Sequence, residues 1–266
     1  MNMFLHELKA YRKSTIIWSI SLVLVALLML SMFPSIAKDA ENFKKLLDVY
    51  PPALKKALGI SIDSVTSLLT YYSSFVLLYV VLCGAIQAMN LGTSIISKEV
   101  REKTADFLLT KPVKRQKIIT SKILACTVSL LITNIVYIVC SSVIAEIVTN
   151  KPFQYNIFLL LSLTLLFVQL MFMSLGVSIS VIIPRIKSVL PISISTVFGF
   201  FFIAMFSSII GDKATRYITP FKYYDATYII KNSNYEGKFI LIELIFIVFA
   251  ISMSYIIYSK KDIHAV

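Results

Sequence analysis

Few residues of this 266-residue chain could do chemistry within its long apolar runs. Glu243 is the one acidic residue inside such a run, FILIELIFIVFAISMSYIIYS, Phe239–Ser259. A carboxylate there either contacts protons or substrate, or sits at headgroup level, reaching water or pairing with Lys238; the second reading is preferred. Gln87, Asn90, Asn134 and Gln169 are the other strongly polar groups deep in apolar runs. Each could line a substrate path, but hydrogen bonding between helices is the commoner role. His6 and His264 are the only histidines and lie near the two ends, which excludes a Ser–His dyad or a His-rich zinc site within the runs. No run holds two carboxylates, so an intramembrane aspartyl protease is excluded as well. No G-x-x-x-x-G-K-[ST] phosphate loop occurs, so the chain is not expected to hydrolyse ATP or to be an enzyme. No catalytic, cofactor-binding or metal residue is assigned. Cys83, Cys126 and Cys140 form no C-x-x-C pair and read as packing residues.

The elements that would position these groups follow from the charge pattern. Hydrophobic residues make up 58% of the chain and charged ones 15%, too few charges for the polar shell of a soluble domain. Uncharged runs cover 14–37, 64–97, 123–145, 152–184 and 188–211, and the Glu243 run is the sixth. About 20 apolar residues cross a hydrocarbon core as a helix, and no run alternates with the period of two that a membrane barrel requires. The reading is an all-α integral membrane protein with six transmembrane helices in one domain, 1–266. The two longest runs each hold one helix with a polar or re-entrant end, as at Ser64–Ser74.

Lys9, Arg12 and Lys13, followed by an apolar run with Ser35 and Ala37 near its end, could pass for a signal peptide. The run is far longer than a signal's apolar stretch of about 7–15 residues, so an uncleaved first span is expected. Before it, Phe4, Leu5, Leu8 and Tyr11 share a helical face, which suggests a short interfacial helix over 1–13.

Six spans place both termini on one side. That side carries 15 Lys and Arg against five Asp and Glu, and the other side 11 against eight. By the positive-inside rule both termini are cytoplasmic. The excess charge reflects topology and anionic lipid headgroups; no nucleic-acid module accompanies it. The outer loops are then 38–63 and 212–238. Phe43, Leu46, Leu47 and Tyr50, then Leu54, Ala57 and Leu58 after Pro51–Pro52, suggest two short amphipathic helices that either cap an exit path or lie in the headgroups. Gly84 with Gly92, and Gly176 with Ser180, are spaced for close helix packing.

The loop between the second and third runs, 98–122, has a pattern that the positive-inside rule does not explain. SKEVREKTADFLLTKPVKRQKIITSK carries both charge signs at helical spacing, with Val100, Phe107 and Leu108 on one side, and Pro112 ends the helix. A short amphipathic helix of this kind is built to dock another protein. Lys114 to Lys122 forms a basic collar to the third span.

This stretch resembles the signature of permease subunits of type-2 ABC transporters, in Glu102, Lys103, Thr104, Asp106, Phe107, Leu108, Leu109, Thr110, Pro112, Arg115 and Lys122. Many members have Gly where Lys103 stands, which marks a subfamily variant. PFKYYD at Pro220–Asp225, the Arg185–Lys187–Ser188 turn leading to VFGFFFI at Val197–Ile203, and LLDVYPPALKKALGI at Leu46–Ile60 are also similar to this family. The resemblance implies a transmembrane half-transporter, of a kind in which export predominates, that pairs with a cytoplasmic ABC ATPase pair. Its coupling helix would lie between spans two and three, with Glu99, Glu102, Lys103, Thr104, Asp106, Phe107, Leu108, Pro112 and Arg115 facing the ATPase. ATP and Mg would belong to that partner, and no cofactor to this chain. A second permease copy or a paralogue would complete the pathway, in contact with membrane lipids, in a bacterial plasma membrane. Two other readings stay open: a stand-alone secondary transporter or channel relying on Glu243, and a non-transporting scaffold or sensor.

Overall fold

The computed structural model describes residues 3–39, 42, 45, 49–58, 67–101, 115–149, 152–183, 186–210 and 215–260, with only the backbone of 56–58 and 99–101. Among the described residues there is no strand, and six helices are long and apolar enough to cross a membrane. They are Met3–Lys38, Leu68–Lys98, Arg115–Val148, Tyr155–Ile182, Val189–Ile210 and Gly237–Lys260, and below they are spans one to six. Each expected run forms one helix, the two longest runs included.

Span one differs from expectation at its start. Residues 3–13 are not a separate helix, because Met3–Lys38 is continuous. The stretch before Pro34 contains no Gly or Pro to break it. Its buried stripe of Glu7, Tyr11, Thr15, Ser19, Leu22, Ala26, Leu30 and Phe33 keeps helical steps of three and four throughout. At 1.5 Å per residue the helix is roughly 54 Å long, so its first turns stand beyond a hydrocarbon core of about 30 Å.

The described part of span two begins at Leu68 and is helical from there through Ser74; Ser64 to Thr66 lie outside the described residues. A π-helical segment, Tyr72–Val76, joins Leu68–Tyr71 to Leu77–Arg101. The extra residue in that turn shifts the helix register and lets the adjacent Tyr71 and Tyr72 both be buried.

Spans two and four share the largest interface, and spans one and three the next. The first is set by glycine. A Cβ on Gly92 would stand 2.3 Å from the Met173 carbonyl oxygen, and one on Gly176 would stand 2.8 Å from that of Met89. Two backbones therefore touch where these glycines face each other, the packing that small residues allow. Ser180, spaced with Gly176, is buried and donates to the Val177 carbonyl.

The buried faces are rich in hydroxyls, and the outer faces are aliphatic. In span three Ser129, Thr133, Tyr137 and Ser141 follow one another at four-residue steps and are fully buried, while Ile135 and Val139 are exposed. This is the arrangement expected where lipid rather than water surrounds the bundle. Of the outer-loop helices, Pro52–Leu58 is present and packs on span five; most of the helix expected over 43–50 lies outside the described residues.

Candidate functional site

The polar groups assemble at three levels of the bundle. At the face that carries the start of span one and the end of span six, Lys122 is 2% exposed. Its Nζ donates to Glu7 Oε1 at 3.0 Å and to the Ile95 carbonyl at 3.0 Å. One ammonium thus joins span one, the end of span two and the start of span three. Beside it the Tyr11 and Ser94 hydroxyls are 3.3 Å apart, and the Lys98 ammonium lies 5.9 Å from the Tyr11 ring centroid. Thr120 and Tyr255 bring in span six through a 2.6 Å hydroxyl contact.

This junction borders the segment that the resemblance marks for coupling. Span two continues as helix to Arg101, and span three starts at Arg115. Glu99 lies on that helical extension, and Arg115 is half-buried at the first turn of span three. Glu102, Lys103, Thr104, Asp106, Phe107, Leu108 and Pro112 lie outside the described residues. Lys122 was legible as part of the signature. Its partner Glu7 was not, since no local spacing links residues so far apart in the chain.

Midway through the bundle, three of the four expected polar residues meet. Gln87 donates to Thr133 Oγ1 at 3.0 Å, Gln169 to Gln87 Oε1 at 3.1 Å, and Asn134 to Gln169 Oε1 at 2.5 Å. Ser19 joins from span one, 3.3 Å from Thr133. The network crosses spans one to four and is closed to solvent, which makes it a hydrogen-bonded brace rather than a wall of an open path. Asn90 is only half-buried and, among the described residues, has no hydrogen bond. A second cluster lies beyond it, where Tyr72 is 2.6 Å from the Tyr137 hydroxyl and 2.7 Å from that of Ser162. The four-residue hydroxyl stripe of span three would have located both clusters.

At the opposite face, the PFKYYD segment ties the last two spans to the rest. Thr219, just before it, donates to the Phe200 carbonyl at 2.9 Å. Phe221 packs against Phe172 and Phe201, and Tyr223 stacks on Phe239. Asp225 caps the helix Ala226–Asn232 by accepting from the amides of Thr227 and Tyr228, a favoured role for aspartate at a helix start. Arg216 bonds the Lys222 and Tyr223 carbonyls and pairs with Glu236.

Tyr224 donates to Glu243, which is 4% exposed. The expected pairing of Glu243 with Lys238, and its reach to water, are therefore corrected. Lys238 pairs with Glu236 at 3.2 Å. Five residues of helix turn Lys238 about 140° away from Glu243, so the two cannot meet. Burial, and then the Glu243 carboxylate, push the Tyr224 phenol well above its ordinary range, and it stays a donor. Burial lowers the Lys222 ammonium; Asp225 opposes that shift and Arg216 adds to it.

The described residues thus form a helical bundle with six helices fit to cross a membrane and polar junctions at both faces. A family model described as ABC-2 family transporter protein matches residues 1–263, and the chain belongs to that family. It is an ABC-transporter permease and a multi-pass membrane protein, and membership implies work with an ABC ATPase subunit. No individually curated protein matches it at a significant level.

Proposed function

We propose that this chain is the transmembrane half of an ABC exporter in a bacterial plasma membrane. Both termini and segment 98–122 face the cytoplasm, and the helix over 98–109 acts as the coupling helix for a separate ATPase pair. Two copies, or one copy and a paralogue, enclose the path. The observation that carries this reading is the Lys122 junction. Motion delivered to the segment between Arg101 and Arg115 meets an ammonium that holds spans one, two and three together. Coupling through rigid, contiguous elements of this kind is how ATPase closure would reach the path. The basic excess on the same face supports its cytoplasmic placement.

The test is purification of the tagged chain from its native membrane in mild detergent, with partner identification and an ATPase assay. A stoichiometric partner bearing a phosphate-loop motif is expected, with vanadate-sensitive hydrolysis. The double variant Glu102→Lys, Asp106→Lys should lose transport-coupled hydrolysis while the spans stay folded. Normal coupling in that variant refutes the docking role. Recovery of the chain without a nucleotide-binding partner in several detergents would favour a stand-alone transporter and turn attention to Glu243.

A further inference from the structure

A cavity of about 140 Å³ lies beneath the PFKYYD segment, between spans two, four and five. Leu77 and Val81 of span two, Val168 of span four, and Phe201, Ala204 and Met205 of span five form its apolar wall. Its volume is close to that of an apolar cavity known to admit benzene, so it accommodates one end of a chain-like molecule and not a whole large one.

The polar groups at its edge are unequal. Ser73 donates to the Thr70 carbonyl, Thr164 to that of Leu161, and Tyr224 to Glu243. Lys222 also contributes to the lining; among the described residues its ammonium makes no hydrogen bond and no close ion pair, although the Asp225 carboxylate is near enough to act on its charge. The nearby charges are committed elsewhere: Asp225 caps its helix, and Glu236 holds Arg216 and Lys238. A half-buried cation with no hydrogen bond or close ion pair among the described residues, at the rim of an apolar cavity in a membrane protein, is complementary to a molecule with the reverse arrangement.

We propose that this cavity binds an anionic amphiphile, with its acidic group on Lys222 and its apolar chain among Val81, Val168 and Phe201. The assignment goes beyond the permease reading and requires no ATPase partner. The same chemistry fits a resident phospholipid or a free amphiphile in transit.

The experiment uses the full chain in phosphatidylcholine nanodiscs and a hexadecyl phosphate carrying a diazirine on the fourth carbon from the phosphate, so that the reactive group lies in the cavity when the phosphate is on Lys222, with the matching hexadecanol as neutral control. After photolysis, peptides are mapped by mass spectrometry. The phosphate probe should label 77–81 and 201–205, and the alcohol should label them far less. Lys222→Gln should weaken labelling roughly tenfold, as loss of one charge-assisted hydrogen bond does, and Lys222→Arg should retain it. Ala204→Leu, which fills the cavity, should abolish labelling at 201–205 without changing elution of the folded protein. Equal labelling by the alcohol, or no effect of Lys222→Gln in a folded sample, overturns the site. Competition by phosphatidylglycerol assigns the site to a lipid headgroup, and persistence against it assigns a free amphiphile. Labelling is read on the chain with or without a co-purified ATPase, so a failure of the permease reading is distinguishable from a failure of this one.

Discussion

The first four spans and the last two are built differently. Spans two and four meet backbone to backbone at Gly92 and Gly176, and spans one and three close around them through Lys122 and the Gln87 network. Spans five and six lie mostly bare on their outer sides, with Phe206, Ile210 and Phe249 all exposed. They are strapped on at one face by the segment around PFKYYD. Away from that face span six packs along span four and span five along span two; there Ser178 donates to the Ala250 carbonyl at 3.1 Å and lies 3.2 Å from the Ser254 hydroxyl, and Thr120 meets Tyr255. The contrast is between a four-span core braced by glycine contacts and buried polar groups and two spans held by apolar packing and the PFKYYD segment, with outer sides left bare.

Breaking the core should have the largest effect. Lys122→Met leaves the Glu7 carboxylate buried without its ammonium, and removing one member of a buried ion pair costs about 3–5 kcal/mol. The thermal midpoint, followed by fluorescence-detected size exclusion, should fall sharply. The double variant Glu7→Leu, Lys122→Met should recover much of the loss, because no lone charge then remains. No recovery would mean that the Ile95 carbonyl contact, not the ion pair, holds the junction.

A pair of glycine substitutions sharpens the contrast. Gly92→Leu drives a side chain into the Met173 carbonyl, and overpacking that backbone cannot relieve costs about 3 kcal/mol. Gly199→Leu in span five meets nothing within 4 Å and should leave the thermal midpoint of the monomeric chain unchanged. Equal destabilisation by the two would erase the distinction between core and strapped spans.

The six spans were legible because charge is absent from five of the runs and limited to Glu243 in the sixth, a signal that needs no partner. The glycine pairs were legible as close-packing positions, although the facing of Gly92 and Gly176 depends on which spans meet. Gln87 and Asn90 show the limit. Both are amides of one span three residues apart, yet one is fully buried and the other half-exposed, because three residues rotate a helix by about 300° and only the neighbouring spans define which side is inside. Glu7 gave no sign at all, since a single acid near a basic terminus reads as part of a solvated face. The hydroxyl stripe from Ser129 to Ser141 was present in the sequence and would have marked the inner face of span three.

The smallest effect is expected where the strap itself is loosened. Tyr224→Phe keeps the ring on Phe167, whose centroid lies 5.3 Å away, and removes only the hydroxyl that serves Glu243. Leaving a buried acceptor without its donor costs about 1–3 kcal/mol. Because the lost bond joins the segment after span five to span six, the damage should stay local. Amide hydrogen exchange across 215–240 should rise several-fold, while peptides from spans two and four keep their protection. Uniform deprotection of all six spans would instead place Glu243 within the cooperative core and remove the division between the two parts of the molecule.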